Sequence, residues 1–560
     1  MTQIRRDAER RTPALAPLVT VDEPLGAGGS WIIAHDGTPK ARVSGAVATA
    51  AARFTGGRTA AEIAAELGSP WTAAEVESIA GRLAAAGLLA ETDPGARRPR
   101  RAAGRIRFRP PLTVQWSFGD PTALFRILRP VARVVMGAPG AIVGGIVVLA
   151  GVVSAISGCA DAVAVLERPV PLSVVVALTA AIVLTTVVHE LGHGAVLSLF
   201  GGSPRRIGAM LFYLAPAFFC DVTDGWRLSR RTQRAAVALA GPAVHLLCAA
   251  IAAIAAHVTT ASELRVALVL YALSCLAICL LNLLPFVQLD GYLALVAVLD
   301  HPYLRRDALH AADVAVARAV FGIRLTADGV TADAPALRER RGLLVCFGVL
   351  CRLFPIALVG VVLHRYVTSI AGLGVLPALA YFALLALVVG VAIRTAIRGV
   401  RALMARRPTL LRSIIGTLVI AAVGTASLLC PVRASHQGGV LVDGDGDGAR
   451  LVLTDGQTPP PAGTVVQIES NGVLLSEHLG AATVSAAAPR REEADLSALV
   501  PISAAGLTTA AVTVELDRID ADLPRYARAR IPDPGVRIVA DWLLHTFLLR
   551  PLDAFGTEHG

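Results

Sequence analysis

His189, Glu190 and His193 stand in the order His-Glu-x-x-His near the end of a long apolar run. On a helix His189 and His193 project from one face, one turn apart, which suits two imidazole ligands on a single zinc ion. Glu190 stands beside them, where a carboxylate can take the proton of an attacking water. A second stretch, Asn282-Leu-Leu-Pro285-Phe-Val-Gln-Leu-Asp290-Gly291, closes another apolar run that starts near Val266. Asp290 offers a carboxylate oxygen as third ligand, and three protein ligands leave the fourth zinc position open, as a catalytic site needs. Asn282 can hydrogen-bond a substrate backbone or a developing oxyanion. Pro285 lacks an N–H and interrupts the helix, which frees backbone polar groups nearby. Taken alone, this second stretch reads first as a kinked helix end with an Asp-Gly turn. Its claim to chemistry comes from the His-Glu-x-x-His motif that precedes it.

The elements that must carry these residues are membrane spans. The chain has 560 residues, of which 54% are hydrophobic and 17% charged, with a mean hydropathy of +0.62. That balance describes a mainly α, polytopic membrane protein rather than a soluble enzyme. Seven spans are expected at about 138–157, 172–199, 235–256, 266–286, 343–363, 369–393 and 409–430. No charged residue lies between Leu172 and Val188, so the His-Glu-His group sits at a depth where ionisable side chains are costly and default to function. Arginines concentrate before the first span, at Arg205–Arg206 and Arg227–Arg234, and again at Arg394–Arg407. By the positive-inside rule these loops and the N-terminus are cytoplasmic, and seven crossings put the C-terminal part outside. The second and fourth spans then both descend to the cytoplasm, bringing the two motifs to one depth, as a shared metal requires.

Together the two motifs, with Ala240-Gly241-Pro242 opening the helix between them, resemble the site-2 protease family of intramembrane zinc metalloproteases. The resemblance covers about residues 130–300. It implies a Zn2+ ion held by His189, His193 and Asp290, with Glu190 as general base. Val287-Gln288 stands where that family often has a second Pro. No segment is similar to the PDZ or CBS modules of many family members, and the closer resemblance is to the peptide zinc metalloprotease branch.

Around this core at 131–300 the sequence suggests five further regions. Residues 1–92 follow small winged-helix patterning, and their order, with Gly57-Arg58-Thr59, resembles the PqqD-like fold. Members of that fold bind leader peptides of ribosomally made natural products. Residues 93–130 begin with an Arg-rich stretch spaced by Pro, Gly and Ala, which reads as a linker in contact with anionic lipid. With few aromatics for base stacking, a nucleic-acid partner is not expected. Residues 301–342 read as a cytoplasmic loop, and 343–431 as accessory spans. Residues 432–560 read as an extracytoplasmic β-rich domain, similar in places to the barrel and lipoyl-like parts of membrane-fusion adaptors.

Smaller features carry their own expectations. Ile207–Cys220 is apolar but too short to cross as a helix, so a re-entrant or interfacial loop is expected. Asp221 and Asp224 read as turn or capping residues. Asp443-Gly-Asp445-Gly-Asp447 opens like a calcium loop but has Thr454 where the closing Glu belongs. Cys159 and Cys430 both fall at the expected outer surface, where a disulfide is conceivable. Trp542–Leu552 reads as a helix lying on the membrane. The tail after Cys430 carries 17 Asp and Glu against 10 Arg, so the remainder of this chain of net charge +10 is strongly basic.

The function expected from these readings is hydrolysis of a peptide bond in a small precursor peptide or a membrane-bound peptide. The setting would be maturation or export of a ribosomally made natural product in a bacterial cell membrane. The lipid bilayer and a peptide exporter are the other expected partners. Two alternatives stay open: a regulatory protease acting on an anti-sigma factor, and a non-catalytic export or immunity protein that keeps the fold.

Overall fold

The computed structural model describes residues 12–552, apart from 13, 36–37, 91–105, 110–112, 213–214, 323–340, 370–374, 405–409, 443–447, 455–456, 505 and 519–522. Most of the Arg-rich stretch and the whole Asp443–Asp447 turn lie outside the described residues. The chain divides into two compact units. The first takes residues 1–150, 181–251 and 273–302, and the second takes 151–180, 252–272 and 303–560.

The first unit opens with a small mixed domain. Strands β1 (Val19–Asp22), β2 (Trp31–His35) and β3 (Thr38–Val43) form an antiparallel sheet in the order β1-β2-β3. Helices α1 (Gly45–Ala51), α2 (Ala60–Leu67) and α3 (Ala73–Ala85) cover it. Thr59 and Thr72 start α2 and α3 with full capping boxes, the Thr hydroxyl accepting from the N–H of Glu62 or Glu75 while that Glu carboxylate accepts in return. Each such cap adds about 1 kcal/mol to helix stability, which explains why short Ala-rich segments fold here. Ile33, Phe54, Ile63, Val76, Ile79 and Leu83 form the core.

The domain is docked within its unit. Leu25 bridges Leu228 in parallel, its N–H donating to the Arg227 carbonyl at 2.7 Å, and the Ser229 hydroxyl donates to the Leu25 and Gly26 carbonyls.

Strands β4 (Ile106–Arg109) and β5 (Thr113–Gly119) follow, then α4 (Thr122–Met136) and α5 (Ala138–Ser157). Next come α6 (Cys159–Leu166), the short β6 (Val170–Pro171) and α7 (Leu172–Leu199). Beyond α7 the apolar stretch 207–220, expected not to cross as a helix, is a β-hairpin of β7 (Ile207–Phe212) and β8 (Ala215–Cys220). Non-local pairing with β5 satisfies its backbone, giving a four-stranded sheet in the order β4-β5-β7-β8. Helices α8 (Arg231–Val258), α9 (Ser262–Leu283) and α10 (Asp290–Leu299) complete the first motif-bearing region, and α11 (Leu304–Phe321) follows.

Seven helices among the described residues are long and apolar enough to cross a membrane: α5, α7, α8, α9 and, further on, α12 (Arg341–Ser369), α13 (Val375–Met404) and α14 (Leu410–Leu428). Two coincide with the expected spans at 138–157 and 172–199. The others differ mainly where helical hydrogen bonding runs past the apolar window, as where α8 starts at Arg231 rather than 235.

In the second unit the expected 301–342 loop contains a folded element. Helix α11 buries Leu304, Ala308, Ala311, Ala312 and Phe321, a small-residue face that sequence periodicity alone leaves inconspicuous among polar neighbours. The C-terminal part is β-rich. Seven strands, β9 (Pro431–Val442), β10 (Ala449–Thr454), β11 (Val465–Ser470), β12 (His478–Val484), β13 (Arg490–Asp495), β15 (Thr508–Asp517) and β16 (Tyr526–Ile538), pair in the order β10-β9-β16-β11-β12-β15-β13. An extra β10–β15 pairing closes the ring into a barrel, leaving β13 outside on β15. Leu451, Leu453, Val466, Ile468 and Val514 fill its interior. The two-residue β14 (Ile502–Ser503) pairs in parallel with β6. The segment expected to lie on the membrane, Trp542–Leu552, packs inward through Phe547, whose carbonyl accepts from the buried Tyr381 hydroxyl at 2.9 Å. Cys159 and Cys430 are both free thiols, so the disulfide is not formed.

Candidate metal centre

The geometry begins with α7. His189 and His193 lie on its buried side, each 5% exposed, so both rings face protein. Their Nε2 atoms are 3.2 Å apart. Asp290, the first residue of α10, faces both rings: Oδ2 lies 3.1 Å from His189 Nε2 and Oδ1 3.3 Å from His193 Nε2. Zinc bonds of about 2.0–2.1 Å at tetrahedral angles put ligand atoms about 3.3 Å apart, a separation that the two imidazole nitrogens show to each other and that each shows to one Asp290 oxygen. These three side chains therefore form a group able to hold a metal ion. The His193 Nδ1–H donates to the Val237 carbonyl at 2.7 Å, which fixes the tautomer with Nε2 free to ligate.

Gly241 supplies a second observation. A Cβ there would lie 2.4 Å from His189 Nε2 and 2.5 Å from His193 Nε2, in the space in front of both ligating nitrogens. The absence of a side chain on α8 at this point keeps that space open. Gly241 belongs to the Ala240-Gly241-Pro242 sequence, and its close approach to the imidazoles is a physical reason for glycine there.

Glu190 shares the same helix turn. Its Oε2 accepts the backbone N–H of Cys220 at 2.9 Å, so the end of β8 holds the carboxylate in place. The Cys220 thiol is no rival nucleophile, since burial, with the Glu190 and Asp221 carboxylates nearby, pushes it well above the ordinary thiol range. Behind this turn, a Cβ on Gly194 would meet the Phe125 ring at 2.2 Å and Cys220 Sγ at 2.9 Å. Helix α4 thus packs directly on α7 one residue past His193. A cavity of about 180 Å³ is lined by Glu190, His193, Asp290, Cys220, Trp226 and Leu293 among others.

The structure brings His189, Glu190, His193 and Asp290 together. Asn282 is engaged differently: its Nδ2 donates to the Ile278 carbonyl of its own helix at 3.0 Å. An amide nitrogen carries two hydrogens, so one donor remains beyond that bond. Asp221 and Asp224 have the structural roles expected of them. Asp221 accepts from the Thr223 N–H and hydroxyl, while Asp224 accepts the Ser203 N–H at 2.9 Å and pairs with Arg227 at 3.0 Å.

One residue at the site escaped the sequence reading. His245, 1% exposed on α8, places its ring 5.2 Å from that of His189. Its buried Nδ1 has no hydrogen-bond partner among the described residues. The available signal was its position four residues after Gly241, on the same face of α8.

Asp300 ends α10 in a left-handed conformation and receives Arg42 of β3 at 2.6 Å, together with Arg234 and, at 3.6 Å, Arg231 of α8. Burial works against the charge on Asp300. The Arg42 hydrogen bond and the three guanidinium charges outweigh it and hold the carboxyl below the usual carboxylate range. The helix that opens with Asp290 thus closes on the N-terminal domain. No family model, curated protein or solved structure matches this chain.

Proposed function

We propose that this chain is a membrane-embedded zinc metallopeptidase of the site-2 protease type. The observation that carries the reading is the cluster of His189 Nε2, His193 Nε2 and the Asp290 carboxylate, with the Glu190 carboxylate one residue from His189. Two imidazoles and one carboxylate suit zinc, which when bound supplies Lewis-acid polarisation of a peptide carbonyl and lowers the pKa of the attacking water. The protein's own work is proton transfer and positioning. Glu190, held by the Cys220 N–H, accepts a proton from water at Oε and returns it to the leaving amine. The remaining Asn282 N–H is a candidate donor to the developing oxyanion. Burial of the site strengthens each of these interactions by excluding water.

The substrate we propose is a small precursor peptide, read by the N-terminal domain as a PqqD-like leader-binding module. The domain's sheet with its three capped helices, docked at the end of α10, supports that assignment. In the same reading the N-terminus is cytoplasmic and the barrel extracytoplasmic, in a bacterial membrane. The test is metal analysis of the purified full-length chain together with cleavage profiling on a peptide library. About one zinc per chain, lost in His193→Ala, and cleavage abolished in Glu190→Gln would bear the reading out. Undiminished zinc in His193→Ala would remove its foundation.

A further inference from the structure

Helix α4 carries three different faces. Phe125, Leu128 and Ala132 form the inner one, with Phe125 1% and Ala132 7% exposed. Leu124, Ile127, Val131, Val134 and Val135 form a second stripe at helical spacing that is left uncovered, Ile127 being 73% and Val134 69% exposed. Arg126, Arg129 and Arg133 form a third, also exposed. The helix contains no acidic residue, and among the described residues none of these arginines pairs with a carboxylate. An apolar stripe flanked by an unpaired cationic ridge is the layout of a helix lying in the headgroup boundary of a bilayer.

Two further observations choose the occupant. Gly137 is extended, and α5, the first helix able to cross a membrane, begins at the next residue. The uncovered stripe therefore leads, within one residue, into a helix long and apolar enough to cross a membrane. The neighbouring sheet shows the same asymmetry. On β5, Trp116 and Phe118 are 57% and 60% exposed on one face, while Gln115 and Ser117 are buried on the other. An exposed Trp on the strand that precedes this helix suits the membrane interface.

We propose that α4 is an interfacial anchor: its Leu124–Val135 stripe is seated among acyl chains, and its Arg126–Arg129–Arg133 ridge binds the phosphates of anionic lipid headgroups. Through Phe125 against Gly194, the anchored helix is the backing of the metal-bearing turn of α7. This lipid surface is independent of whatever chemistry the metal centre performs.

The test uses the full-length chain in nanodiscs of phosphatidylcholine with phosphatidylglycerol, with the exposed Cys159, Cys346 and Cys430 replaced by Ser. Nitroxide labels at Ile127→Cys and Val134→Cys should be more accessible to dissolved oxygen than to a water-soluble nickel chelate. A label at Arg129→Cys should show the reverse balance. Nickel-chelate accessibility at Ile127 and Val134 would place the stripe in water and overturn the proposal. Dipolar coupling between labels on separate chains would mean that a second copy covers it, and would overturn it equally. Lipid retained by the unlabelled wild-type chain should be enriched several-fold in phosphatidylglycerol over the nanodisc composition. A triple variant Arg126→Gln, Arg129→Gln, Arg133→Gln should lose most of that enrichment while keeping its metal content. No enrichment in the wild type, or the same enrichment in the triple variant, would overturn the headgroup assignment.

Discussion

A Cβ atom on Gly241 would stand 2.4 Å from Nε2 of His189, well inside contact distance of that nitrogen. Gly241→Ala should therefore displace the imidazoles or fill the space an ion needs, while leaving α8 intact, since Ala is the stronger helix former. We expect metal affinity to fall by at least about 100-fold, more than the loss typical of altered outer contacts. Helix content by circular dichroism should be unchanged. Wild-type metal content in Gly241→Ala would show that the ion does not sit between these residues.

Glu190→Gln tests the proton-transfer role separately from the ligands. The carboxamide can still accept the Cys220 N–H at the same position, so metal content and thermal stability should hold. It cannot accept the proton of water. Loss of a general base is worth about 10²–10⁴ in rate, and turnover should fall by that much or more. Near wild-type cleavage by Glu190→Gln would rule out Glu190 as the base.

Asp300 makes a pH-dependent link to the N-terminal domain. Its carboxyl is depressed in the folded chain, so the stabilisation is fully present above the ordinary carboxylate range of about 4 and fades as pH falls through the folded value. Docking of residues 19–43, followed by hydrogen exchange, should be flat from about pH 5 upward and loosen below about pH 4. Arg42→Gln removes a partly exposed partner and should cost no more than about 1 kcal/mol. Asp300→Asn should cost more, on the order of 3 kcal/mol, because it leaves the buried Arg234 guanidinium without its counter-charge. Equal effects of the two substitutions would mean that Arg234 does not depend on Asp300.

What the sequence made legible was local. His189 and His193 are one helical turn apart, so one face of one helix could be read directly, and the apolar windows around them defined the spans. Asp290 was legible because its motif closes a second apolar run after the His-Glu-x-x-His motif. The rest depends on residues that meet only in the folded chain. Cys220 reaches Glu190 from 30 positions away, Phe125 reaches Gly194 from 69, and His245 approaches His189 from 56. The hairpin at 207–220 was hidden because its partner strand β5 lies about 90 residues earlier, and an apolar run without alternation shows no strand period. Helix α11 was hidden by the opposite effect, a face of alanines too weakly apolar to stand out.

The leader-reading role proposed for the N-terminal domain predicts how two substrates should differ on the same full-length chain. The domain is held in place by the Leu25–Leu228 bridge and the Arg42–Asp300 pair rather than floating on its linker. Since Asp300 ends the helix that Asp290 begins, a leader bound to this domain is kept within reach of the metal centre. Tethering of this kind raises the local concentration of the cleavage segment, with effective values reaching the millimolar range for short flexible connections. The gain belongs to binding and not to chemistry. A precursor carrying its leader should then show a KM at least about ten-fold lower than a short peptide spanning only the cut site, at similar kcat. Adding the leader as a separate peptide should compete against the precursor and leave the short peptide untouched. Arg42→Gln should raise KM for the precursor alone. If leader and leaderless substrates share one KM, or if free leader inhibits both, the domain is structural and the precursor-peptide reading loses its main support.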